Sequence, residues 1–470
     1  MKHIFYRMIS IVVVAVAACS FLNLFAVSQV HDDYAWRRQK LMDFMGQGVA
    51  VFKTSGQSSE NFFYLTGFEE PDAAMLLIPG SDKKFILFVR PANPARSIWT
   101  GDVTGLDGAK EFFGADEAYP LDQFERILAQ SLRGKKKIFC SFQNSELTTS
   151  LIQLVRRPWN NYAKQIVDLT EEIYEMRVIK SRQEIALIKK AVDITCLAYI
   201  EAMKAAQPGV NEAEIEAVIE YVFRKQGATG PGFPSIVGSG PNSTVLHHEI
   251  NNRQTVDGDL VVMDIGAEVG RYTADVTRTI PVNGLFSKEQ KDIYNIVLEA
   301  EEKALSFIAP GVEINDVHNL AVSIIADGLL KLGLITDKES RWQMRAWLMY
   351  TINHWIGLNV HDVGDYKRRR DSSRVLEPGM VFTVEPGLYI RMDTIDNLQK
   401  IVGPSVPEEQ INEFVKAVRP VVQKYNNIGV RIEDDVLVTE NGYENLSVKA
   451  PKTIAEIEKI MKKKGPVPFP

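Results

Sequence analysis

Residues 259–280 read DLVVMDIGAEVGRYTADVTRTI. Apolar and β-branched residues run up to Val269-Gly270 and away from it, the pattern of a β-hairpin. A turn centred on Val269-Gly270 sets Asp264 directly opposite Asp275. Opposed residues have Cβ atoms about 4.5–5.5 Å apart, and like charges placed there are destabilising. Two aspartates in that position call for a bound cation, a shared proton or exposure to solvent.

Two further strands carry acids. Residues 380–387, MVFTVEPG, read as an apolar strand closing on Glu385 and a turn. Residues 430–438, VRIEDDVLV, read as another; Arg431 and Glu433 are two apart and share the face opposite Val430 and Ile432. Asp264, Asp275, Glu385 and Glu433 together carry four negative charges, which two divalent cations would cancel. Bridging carboxylates set such ions about 3.5–4 Å apart, a spacing suited to activating water. Of the seven histidines, His354 and His361 fall in HWIGLNVHDVG (354–364), and His247-His248 follow the loop Gly238-Ser239-Gly240. Spacing alone gives these histidines no role. Oxygens plus one imidazole would suit Mn²⁺ better than a thiolate-rich zinc site.

The 470 residues carry 54 Lys+Arg against 60 Asp+Glu, with 45% hydrophobic and 24% charged. Those proportions exclude a disordered or fibrous chain, and the mild acidity argues against a nucleic-acid partner. Three cysteines (Cys19, Cys140, Cys196) cannot build a disulfide framework. Lys2, His3 and Arg7 precede an apolar run from Met8 to Val27, an export signal in form. Export would place the protein in the periplasm or another extracytoplasmic space. Ala26-Val27-Ser28 offers cleavage before Gln29, and Val16-Ala17-Ala18-Cys19 resembles a lipobox that would lipidate Cys19. The run is also long enough to stay as an uncleaved membrane anchor. The chain thus divides into a signal or anchor (1–28), an α/β segment (29–170), an α+β segment (171–461) and a flexible tail (462–470). Helical spacing is expected over Leu121–Leu132, Ser145–Arg156 and Lys288–Ile308, in one long stretch over Thr170–Ala205, from an Asn211 cap to Gln226, and from Asn315 to Leu332.

These acids and the imidazole, in their order and local context, resemble those of the Xaa-Pro aminopeptidases (aminopeptidase P), dinuclear metallopeptidases of the pita-bread fold. FFYLTGFEEP (62–71) resembles the same family's non-catalytic domain. The resemblance implies an α+β fold class: a pita-bread catalytic domain over 171–461, preceded by an α/β N-terminal domain over 29–170. It implies that Asp264 binds one metal, Asp275 bridges both, His354 and Glu385 bind the second, and Glu433 bridges. His247 and His361 would face substrate, with Tyr389 and Arg431 in support.

The reaction implied is release of the residue before a second-position proline. Glu385 would carry a proton from the nucleophile to the leaving nitrogen. His361 and His247 would donate to the oxyanion, and Arg431 would orient Asp264. Methionine aminopeptidases share the core but lack the N-terminal domain. A prolidase-type dipeptidase and a peptide-binding pseudoenzyme are the rival readings. The chain departs from the family at Tyr350, in YTINH (350–354), where relatives carry a histidine that is not a metal ligand. A phenol there can still donate one hydrogen bond to a substrate carbonyl or oxyanion. The expected partners are Xaa-Pro peptides and further copies of the chain, as a dimer or tetramer, with membrane attachment through a retained N-terminus.

Overall fold

The computed structural model describes residues 33–54, 58–156, 165–369 and 372–463. The expected export segment, Cys19 and most of the expected tail lie outside them. The described residues fall into two compact units that divide between Met176 and Arg177.

The first unit is built on one six-stranded sheet. Its strands are β1 (Val49–Lys53), β2 (Ala74–Leu77), β3 (Phe85–Val89), β4 (Glu117–Pro120), β5 (Lys137–Cys140) and β6 (Gln165–Asp168), in the order β4-β3-β2-β1-β5-β6. β2 pairs antiparallel with both β1 and β3; β4 joins β3, β5 joins β1 and β6 joins β5 in parallel. The central strands are continuous apolar runs, as expected of strands covered on both faces. Val51, Leu76 and Phe88 pack with Ile127, Leu151 and Leu154 of the helices Phe124–Ser131 and Ser145–Arg156.

The second unit packs long helices against small antiparallel sheets. One sheet orders β12-β9-β8: β8 (Ile236–Ser239), β9 (Leu260–Ile265) and β12 (Val276–Pro281). A second joins β7 (Gly230–Pro231), β10 (Ala267–Val269) and β11 (Tyr272–Thr273). A short pair, β13 (Lys367–Arg369) and β14 (Ser372–Ser373), stands apart. β15 (Val381–Val384) pairs with β18 (Asp434–Thr439), and β19 (Gly442–Asn445) extends that sheet. β16 (Gly387–Ile390) pairs with β17 (Ile428–Arg431).

The helices Glu212–Lys225 and Lys288–Phe307 start at capping boxes on Asn211 and Ser287. The expected single helix over Thr170–Ala205 is in fact two, Thr170–Val178 and Arg182–Ala205. Ser181 and Glu184 form a capping box that starts the second, and Ile179 bridges to Met380 instead of continuing the first. Cys140 and Cys196 are buried free thiols. Among the described residues no helix is long and apolar enough to cross a membrane.

Candidate metal centre

The ladder between β9 and β12 pairs Asp264 with Thr277, not with Asp275. The turn is Gly270-Arg271, with φ of +55° and +68° at its two residues. A two-residue hairpin turn of this kind needs positive φ at both central positions, which glycine supplies and a β-branched valine resists. The turn centre therefore lies one residue later than the apolar pattern suggests. A slip of two in pairing keeps every side chain on its face. Asp275 still shares the face of Asp264, one step along the strand direction.

Both glutamates occupy joints between sheets. Glu385-Pro386 links β15 to β16, and Pro386 has no N–H to continue a ladder. Ile432-Glu433 links β17 to β18, so the single strand expected over 430–438 is two strands in different sheets. Glu433 N donates to Thr277 O at 3.1 Å, and Glu385 N to Ile352 O at 2.8 Å. These bonds tie each joint to a neighbouring segment. Buried Arg278 holds the second joint from below, donating to Glu433 O at 2.7 Å and to Asp434 Oδ1 at 2.6 Å.

His354 completes the cluster. Its Nδ1 lies 3.1 Å from Trp355 O. A carbonyl only accepts, so Nδ1 carries the proton and Nε2 presents a lone pair. Nε2 lies 3.3 Å from Asp275 Oδ2, 3.5 Å from Glu385 Oε1 and 4.0 Å from Glu433 Oε1. Donor atoms of Asp275, His354 and Glu433 all fall within 4.8 Å of one another. Burial, then repulsion from Asp264, Asp435 and Glu385, pushes the Asp275 carboxyl well above its ordinary range. Glu433 is raised in the same way, by burial and then by Asp275 and Glu385. Burial raises Glu385 to about 7 against the pull of His354 and Arg431. So many acids cannot all ionise side by side unless positive charge is added. Asp264 Oδ1 and Asp275 Oδ1 are buried, and among the described residues no donor reaches them. Two orphaned hard oxygens, in a cluster where other carboxylate oxygens face one imidazole lone pair, fit a divalent-cation site.

Nine of the ten residues expected from sequence line one cavity of about 590 Å³: His247, Asp264, Asp275, Tyr350, His354, His361, Glu385, Arg431 and Glu433. The tenth, Tyr389, is buried behind it. Arg431 binds Asp264 Oδ2 through Nη2 at 2.5 Å, Tyr389 Oη through Nη1 at 2.7 Å and Thr277 Oγ1 through Nε at 3.0 Å. Thr277 Oγ1 in turn donates to Glu433 Oε2 at 2.6 Å. The His361 ring stands edge-on to His354, with centroids 4.4 Å apart. Burial and the neighbouring His354 and His247 hold its pKa below the ordinary histidine value.

The Tyr350 hydroxyl donates to Glu385 O at 2.9 Å and meets Tyr389 Oη at 3.2 Å. Its one proton is committed to the backbone, so the donation to substrate expected from sequence is not the role this geometry gives it. A Cβ at position 387 would lie 2.6 Å from Tyr350 Oη and 2.7 Å from Tyr389 Oη, so glycine is required there. Two residues of the site carried no reading from sequence. Thr277 holds Glu433, and Asp435 Oδ2 accepts from Asp275 N at 2.9 Å. Asp435 is two residues from Glu433, and strand alternation is the signal that could have found it.

Residues 186–440 match the model for metallopeptidase family M24, and residues 34–139 that for the aminopeptidase P N-terminal domain. The chain is 36% identical to an Xaa-Pro aminopeptidase of Escherichia coli strain K12 over 455 residues, spanning 91% of this chain and 97% of the relative. It is 38% identical over 405 residues to one from Haemophilus influenzae, spanning 85% of this chain and 87% of the relative. The solved structure of Pseudomonas aeruginosa aminopeptidase PepP matches with a TM-score of 0.82 at 37% identity, over 92% of this chain and 98% of that one. A variant of Escherichia coli aminopeptidase P in complex with substrate matches at 0.80 and 35% identity, over 92% and 98%.

Proposed function

The chain belongs to metallopeptidase family M24 and carries an aminopeptidase P N-terminal domain, and on that premise we propose that it is a metal-dependent aminopeptidase releasing the first residue of peptides with proline in second place. The observation that carries this reading is the His354 Nε2 lone pair set against Asp275, Glu385 and Glu433. Two divalent cations, held by Asp264, Asp275, His354, Glu385 and Glu433, suit that donor set. Hard oxygens with one imidazole favour Mn²⁺. When bound, such ions supply Lewis-acid polarisation of the scissile carbonyl and an activated water.

The remaining steps belong to the chain's own groups. The proline nitrogen has no hydrogen in the substrate and must gain one to leave. Glu385 lines the cavity beside His354, where its carboxylate can take a proton from the attacking water and deliver it there. His361 and His247 line the cavity and donate to the oxygen on which charge develops. Arg431 fixes Asp264 and Tyr389, and Tyr350 fixes the Glu385 backbone.

The dipeptidase and pseudoenzyme readings gain no support from the relatives' names. The test is digestion of Ala-Pro-Ala against Ala-Pro after chelation and return of Mn²⁺. Release of alanine from the tripeptide alone is expected. Cleavage confined to the dipeptide would make it a prolidase, and tight metal binding without cleavage would make it a binder.

A further inference from the structure

A second cavity, of about 730 Å³, adjoins the metal centre, and Tyr350 and Thr351 line both. Its volume is in the range of sites that enclose small ligands. The lining includes Lys338, Glu339, Arg341 and Arg345. Arg341 opens the short helix Arg341–Met344, and Arg345 follows one turn later at the i,i+4 spacing that puts two side chains on one face. Like charges at that spacing repel. Lys338 is neutralised by Asp327 at 2.9 Å. Neither arginine is held by an ion pair among the described residues. The cavity therefore presents two guanidinium groups, exposed and unspent, next to the site of bond cleavage.

An aminopeptidase keeps the free amino end of its substrate at the metal centre, so the rest of the peptide must pass into an adjoining space. Every unmodified peptide ends in a carboxylate, and guanidinium matches carboxylate with paired hydrogen bonds. We propose that this second cavity is a downstream subsite in which Arg341 and Arg345 bind carboxylates of the peptide beyond the proline, so that the enzyme selects anionic leaving peptides. This inference rests on the aminopeptidase reading above. Both arginines are exposed, which sets the selection at about 3- to 10-fold in KM. Removing ground-state binding of this kind raises KM and leaves kcat in place.

The test uses Mn²⁺-loaded full-length protein and the peptide amide Ala-Pro-Ala-Ala-Ala-NH₂, with Asp or Lys placed in turn at the third, fourth and fifth positions. KM for the Asp form should be about 3- to 10-fold below that for the Lys form at one position or more. The difference should shrink as salt is raised. The double variant Arg341→Gln/Arg345→Gln should equalise the two KM values and keep kcat on the neutral amide. The charge-preserving Arg341→Lys/Arg345→Lys should keep the preference. Equal KM values in the wild type at every position, or a preference that survives the glutamine variant, would overturn the subsite alone. No release from the neutral amide by the wild type would remove the aminopeptidase reading, and the subsite with it.

Discussion

A single hydroxyl at Tyr350 closes a relay from Arg431 through Tyr389 to the backbone of Glu385. Burial, then Tyr389 and Glu385, keeps the Tyr350 phenol protonated well beyond its ordinary pKa. Tyr350→Phe removes the donor to Glu385 O. A net hydrogen bond contributes about 0.5–1.5 kcal/mol, so kcat/KM should fall about 2- to 10-fold with metal content unchanged. Steady-state kinetics beside metal analysis reads both. Tyr350→His should add an ionisation near pH 6.5 to the rate profile, which the wild-type phenol cannot supply; an identical profile in both would make Tyr350 a space-filler. Asp275→Asn should abolish turnover and lower bound metal, and full occupancy with full rate would remove Asp275 from the ligand set. The acids were legible because charge on apolar strands is costly and stands out. Thr277 was not, since a threonine in a strand is ordinary β-propensity.

Whole elements, rather than side chains, aim the remaining groups. Glu212 is fully buried at the start of its helix and accepts from Ser239 N at 2.6 Å, Ser239 Oγ at 2.7 Å and Arg253 N at 2.9 Å, with His248 Nε2 at 3.0 Å. It thereby anchors the turn before His247 to the helix Glu212–Lys225. Glu212→Ala strands those donors, each at about 1–3 kcal/mol. The urea midpoint should drop and KM should rise, whereas an unchanged midpoint would mean water replaces the carboxylate.

The Asp362 carboxylate joins Arg177 and, at 3.0 Å, Lys180. Burial alone would raise its pKa, but the two cations hold it below the ordinary value. A depressed folded-state pKa gives stability that is complete above the unfolded value of about 3.9 and lost as pH falls through the folded one. Asp362→Asn should therefore cost about 3–5 kcal/mol at pH 7, and the gap to wild type should narrow below pH 4. A gap independent of pH in urea titrations would mean packing, not charge, is lost. Helices with clear caps, such as Glu212–Lys225 and Lys288–Phe307, could be read nearly to the residue. The helix Glu408–Tyr425 is hidden by Pro420, which a helix interior normally rejects. It persists because Ile411, Phe414, Val418 and Val422 bury one continuous stripe.

At the scale of the molecule, the apolar run from Met8 to Val27 leads us to propose export. Protein from its native host should begin at Gln29 or at a lipidated Cys19, as read by intact mass. An intact Met1 in a soluble cytoplasmic fraction would refute it. The two-unit plan was legible as a change from mixed strands and helices to long helices and acidic strands; the joints that split strands between sheets were not, because they depend on partners far along the chain. The cluster of buried acids has a thermodynamic consequence for the fold as a whole. Without cations, mutual repulsion opposes folding; with them, the same carboxylates become ligands present only in the native state. Mass action then adds about 2.7 kcal/mol for one site at a hundred times Kd. Melting temperature should climb with Mn²⁺ concentration in wild type and stay flat in Asp275→Asn, so that the supply of metal governs how long the protein survives as well as how fast it works.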